Sequence, residues 1–163
     1  WERPTNAGPE WRIPRLEVEE AVEETFDRYD VGRMLADPPK WQTEIERWAE
    51  RYNAGRKAGD ELVLFFDTNQ ARRMAFACDR FSTSLAEGSL THDRSPVLTS
   101  HALAMVRKKV KVSAEDDDGR TRYVFTKGDG RKIDAGIAAV LALEAAMTMP
   151  ESASPRQPVF AWA

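Results

Sequence analysis

The chain has 163 residues, a formal charge of −3, 42% hydrophobic residues and 31% charged residues. That length supports one ordinary domain with a sizeable core, and five Trp, seven Phe and three Tyr supply too much burial material for a disordered chain. The acidic balance excludes a generally basic nucleic-acid coat, but it leaves room for a local basic groove.

Residues 1–14, punctuated by Pro4, Pro9 and Pro14, read as an extended lead-in. Leu16, Val18, Ala21, Val22, Thr25 and Phe26 then recur at helical intervals, predicting an amphipathic helix to about Tyr29. A short strand is expected over 31–36, stopped at Asp37-Pro38-Pro39 because proline cannot donate to a ladder. Trp41, Ile45, Trp48, Ala49 and Tyr52 line one face of a second helix, and 62–66 has the pattern of a buried strand. Asp67-Thr68-Asn69 suits the start of a third helix, running through Cys78 and Phe81 to end near Gly88. A brief helix is expected over 96–106, then strands at 110–112 and 123–125. The connecting segment carries four consecutive acids at 115–118 and reads as a solvated hairpin tip. Residues 133–147 form a helix apolar almost all round, hence buried. The alternation predicts an α/β class with at least a partly parallel sheet, in one domain over 1–150, followed by a Pro-containing tail at 151–163. The longest apolar run, 135–143, is about half of what a bilayer requires, and neither a membrane span nor a signal peptide is expected.

Chemistry has few places to reside. Cys78 is the only cysteine; it excludes an intramolecular disulfide and a Cys-rich zinc site, and it reads as a small core residue. No phosphate-loop, serine-elbow or H-E-x-x-H signature occurs. His92 and His101 read as a polar loop contact and as helix-surface or interface packing, respectively, rather than as metal ligands. What remains is carboxylates at element ends. Asp37 is either a turn residue ahead of the prolines or a strand-end carboxylate pointing into the mouth of an α/β sheet. Asp134 is either an ordinary helix-start acid or a carboxylate facing a partly desolvated cleft at the lip of the buried helix. It follows Lys127, Arg131 and Lys132, three cations in a Gly-containing loop fit to hold the phosphates of a polyanion. A second basic cluster comprises Arg107, Lys108, Lys109 and Lys111.

Met34-Leu35-Ala36-Asp37-Pro38-Pro39-Lys40-Trp41-Gln42, Glu87-Gly88-Ser89-Leu90-Thr91-His92-Asp93 and Lys132-Ile133-Asp134-Ala135 resemble the nuclease domain in the large subunit of tailed-phage terminases. Thr68-Asn69 followed by Arg72-Arg73-Met74 matches as well, and the similarity runs from about Trp11 to Met149. The resemblance implies an RNase H-like fold, a mixed sheet flanked by helices, and metal-dependent endonucleolytic cleavage of double-stranded DNA. It implies an acidic cluster binding two Mg²⁺ or Mn²⁺ ions, with Asp37 matching the strand-end acid and Asp134 the helix acid. Carboxylates are hard oxygen ligands suited to such ions, and a pair of them serves an in-line phosphodiester displacement. Lys127, Arg131 and Lys132 become candidate DNA-backbone contacts. By the same resemblance the partners are a terminase small subunit and the portal, and the location is the host cytoplasm at the viral procapsid. The family's first acidic strand, its hairpin partner and an ATPase domain would lie ahead of Trp1. Two other readings stand beside this one: an inactive DNA- or partner-docking module of the same descent, and another RNase H-like nuclease such as a resolvase.

Overall fold

The structure is a computed structural model, and it describes every residue except Glu2, Thr5, 112–120 and 151–163. The acidic connecting segment and the tail therefore lie outside the described residues. The chain divides into two compact units, Trp1–Val31 and Gly32–Ala163.

The first unit is the turn-rich lead-in and helix α1 (Arg15–Arg28), none of whose residues is buried. Trp1 Nε1 donates to Glu17 Oε2 at 2.7 Å within this unit.

The second unit carries the core. Strand β1 (Met34–Ala36) leads through helix α2 (Gln42–Tyr52) to strand β2 (Val63–Phe65), and the two strands pair in parallel with Leu35 opposite Leu64. Parallel strands need such a crossover, and the buried Ile45 and Trp48 supply the apolar stripe of the helix that makes it. The outer edge of β2 is closed locally by a side chain: Asn53 Oδ1 accepts from the N–H groups of Leu62 and Val63, both at 2.9 Å.

Helix α3 (Ala71–Ala86) follows, starting later than Asp67-Thr68-Asn69 suggests. Asp67 instead folds its carboxylate onto the N–H of Asn69 at 2.9 Å, an Asx-type turn that competes with helix entry. The helix stops where the sequence says it should. Gly88 takes φ +67°, its N–H reaches the Leu85 carbonyl, and Ser89 N–H reaches Ser84, which is the Schellman pattern that favours glycine.

Helix α4 (Pro96–Ala104), capped by Ser95, passes directly into strand β3 (Met105–Val110), which pairs antiparallel with β4 (Arg122–Lys127). The helix is shorter than the expected 96–106 because Met105 turns to extended backbone, and the strand starts five residues before Val110. Of the expected strand, Val112 lies outside the described residues. Helix α5 (Asp134–Thr148) ends the described chain.

Among the described residues the strands form two separate two-stranded sheets, one parallel and one antiparallel, rather than one mixed sheet. The architecture is mixed α/β. Its core joins Phe66 with Met74, Ala77, Cys78 and Phe81 of α3, Leu98 of α4, and Ala139, Val140 and Leu141 of α5. No helix among the described residues is long and apolar enough to cross a membrane.

Helix α5 packs against α3, α4 and β1. Arg33, one residue ahead of β1, donates to the carbonyl of Thr148 at the far end of α5. The last turn of α5 is thereby tied to the start of β1.

Candidate active site

Parallel pairing gathers the C-terminal ends of β1 and β2 on one edge, the place where open α/β sheets hold their ligands. Asp37 is the residue after β1, and Asp67 and Thr68 follow β2. The Asp37 carboxylate joins the two ends: Oδ1 accepts from the Thr68 N–H at 3.0 Å and Oδ2 from the Thr68 hydroxyl at 2.7 Å. Asp37 is thus half-buried and held in a fixed orientation. A carboxylate has about four lone-pair sites, so these two bonds leave acceptor capacity on both oxygens.

Asp134 occupies the first turn of α5 and is exposed, contrary to the desolvated lip expected from the apolar helix behind it. The burial of α5 begins at Gly136 and continues through Ala139, Val140 and Leu141, whereas the first residue projects beyond the packed face. Its negative charge suits the helix N-terminus, where orphan N–H groups give a partial positive charge. One of those N–H groups has a partner that sequence reading did not find. His101 is buried, not on the helix surface, and its Nδ1 accepts from Ala135 N–H at 3.0 Å. His92, by contrast, makes the expected loop contact, accepting from Arg94 N–H at 3.0 Å.

The three predicted loop cations are all exposed, with Lys127 closing β4 and Arg131 and Lys132 leading into α5. Between them Asp129 and Gly130 take φ +49° and +71°, and Arg131 N–H bonds the Gly128 carbonyl. This tight turn keeps the cations at the same helix start as Asp134. The structure thus brings Lys127, Arg131, Lys132 and Asp134 to one end of α5.

Two further features escape the sequence patterns. Thr68 is the residue that orients Asp37, and only the parallel register, with Ala36 opposite Phe65, shows that it can. Along the first turns of α3 runs an open groove of about 740 Å³ lined by Gln70, Ala71, Arg72, Arg73, Phe76 and Arg80. Arg73 stacks 4.1 Å from the centroid of the Phe66 ring, and Arg80 forks onto the buried Glu144 of α5 with bonds of 2.7 and 2.5 Å.

Cys78 is a buried core residue, as its apolar neighbours in the sequence suggest. Burial pushes its thiol up from 9.0 to about 11, against a lowering bond from Phe125 N–H, with the nearby Asp79 charge adding a smaller upward push. A thiol that stays protonated at neutral pH is inert. Among the described residues no group of three or more His, Cys, Asp or Glu side chains could hold a metal ion. Asp37 and Asp134 are each the right donor type for a hard divalent cation.

The fold and site define a mixed α/β chain with its carboxylates at a strand end and a helix start. Two phage proteins are similar to it. The chain is 34% identical over 136 residues to the Gene 13 protein of Mycobacterium phage D29 and 33% identical over 136 residues to the Gene 13 protein of Mycobacterium phage L5. Both matches cover 82% of this chain but only 22% of the relative, so the chain spans about a fifth of the length of the curated relatives it matches. No protein-family model matches the sequence. No solved structure matches it.

Proposed function

We propose that this chain is most of the nuclease domain of a phage DNA-packaging terminase large subunit, with an RNase H-like descent, acting on double-stranded DNA. The observation that supports the reading is a pair of carboxylates at element ends, Asp37 fixed by Thr68 after β1 and Asp134 in the first turn of α5 beside three exposed cations. Kinship to phage proteins several times its length supports a role as one part of a larger machine.

In this reading Asp37 and Asp134 hold divalent metal, Mg²⁺ or Mn²⁺, and the remaining carboxylate comes from elsewhere in the longer protein. The metal, when bound, supplies Lewis-acid activation of water and charge stabilisation at the scissile phosphate. The chain's own groups do the rest. Thr68 fixes the Asp37 carboxylate, His101 anchors the first turn of α5 that carries Asp134, and Lys127, Arg131 and Lys132 hold the DNA backbone beside it. The procapsid in the host cytoplasm, with a small subunit and portal as partners, is the setting this role requires.

The test is nicking of supercoiled plasmid by the longer protein in Mn²⁺. Asp134→Asn should lower the rate at least a hundredfold while lowering the thermal unfolding temperature by no more than about 4 °C, the cost of one charge at a helix start. Nicking at an unaltered rate in that variant would exclude the assignment and favour a docking module without catalysis.

A further inference from the structure

The hairpin of β3 and β4 carries a charge pattern that the proposed site does not use. Its twelve ladder positions, 105–110 and 122–127, contain no carboxylate in a chain whose Asp and Glu outnumber Lys and Arg by 27 to 24. The nearest acids in the sequence, at 115–118, lie outside the described residues. Strand β4 is the inner strand. Phe125 donates its N–H to Cys78 Sγ of α3 at 3.4 Å, and Arg122 is buried against Asp79 and the Phe76 ring. Strand β3 is the outer one, with Val106, Arg107, Lys108 and Lys109 all exposed.

Register sorts these cations by face. Arg107 lies opposite Phe125, Lys109 opposite Tyr123 and Met105 opposite Lys127. Because side chains alternate along a strand, Arg107, Lys109, Lys127 and Tyr123 project to one face, together with Met105 and Phe125, which pack against the core, and Lys108 projects to the other. Arg107 and Lys109, two residues apart, stand about 7 Å from one another along the strand. The partly exposed Tyr123 adds a phenolic donor beside Lys109. The row ends at Lys127, the first cation of the turn leading to Asp134.

We propose that this face of the hairpin is a docking track for the phosphodiester backbone of duplex DNA, with Arg107 and Lys109 as its contacts beyond Lys127. This deepens the nuclease reading and rests on it, by naming where the duplex lies as it leaves the carboxylates. Cationic residues on an outer strand also discourage edge-to-edge aggregation. That role, however, is indifferent to which face a cation occupies, whereas docking is not.

The difference is measurable. Binding of the chain to a fluorescent 30-base-pair duplex is followed by anisotropy in EDTA, as a function of salt. Each phosphate contact contributes about 0.9 to the slope of log K against log salt, so the R107A/K109A variant should flatten the slope by about 1.8. K108A should change it by less than half of one contact, and R107K/K109R should restore it. An equal loss per charge from Lys108→Ala, no change from R107A/K109A, or no binding by the unmodified chain would each overturn the docking track. Metal-dependent nicking by the longer protein reports separately. If nicking persists while R107A/K109A binds with an unaltered slope, the track fails and the nuclease reading stands. If the slope falls but no nicking occurs, the reverse holds.

Discussion

Asp37 serves the fold whether or not it serves a reaction, because both of its oxygens accept bonds from Thr68 and tie the end of β1 to the loop after β2. The two roles separate by substitution. Asp37→Asn keeps an acceptor for the Thr68 N–H and an amide that the hydroxyl can accept from, whereas Asp37→Ala leaves a half-buried N–H and hydroxyl without a partner. The alanine variant should lose about 1–3 kcal/mol and the asparagine variant less than about 1 kcal/mol, read from urea unfolding. Equal losses in the two variants would mean that the Thr68 bonds contribute nothing. Sequence reading placed Asp37 correctly at a strand end because Pro38-Pro39 stops the strand. It did not find Thr68, since residues 31 positions apart meet only through the parallel register. Of the two readings of His101, surface or interface packing, the structure shows packing, but nothing local in the sequence shows that its ring meets the start of a helix 34 residues onward.

At the scale of elements, α5 is fixed at three points. His101 holds its first turn, Arg33 its last carbonyl, and Arg80 of α3 grips Glu144 in between. Glu144 is buried and its partner is about a third exposed, so the pair is expensive to break from the arginine side. Arg80→Ala should destabilise by about 2–3 kcal/mol, while Glu144→Gln, which removes the buried charge itself, should cost less. For a chain of this size the first loss corresponds to a fall of roughly 4–12 °C in Tm. A larger loss from Glu144→Gln than from Arg80→Ala would contradict this account of the clamp. The helices were largely legible because apolar spacing marks them, and Gly88 and Pro96 punctuate them. Strand β3 was not, because an outer strand exposed on both faces has no alternation to read: Arg107, Lys108 and Lys109 look like a charged loop until the register with β4 is seen.

Across the whole molecule, the α/β class follows from the order of elements, but the number and pairing of sheets does not. Short strands of three residues signal themselves weakly, and two separate pairs satisfy the same alternation that a single mixed sheet would. The chain is also about a fifth of the length of its phage relatives. The central claim is that Asp37 and Asp134, 97 positions apart in the sequence, act together on one ion. Calorimetric titration of Mn²⁺ into the longer protein tests it most directly, comparing the unmodified protein with D37N, D134N and the double variant. The account predicts at least a tenfold weaker affinity in each single variant and no further tenfold loss in the double. Mn²⁺ binding as tight in D134N as in the unmodified protein would contradict it.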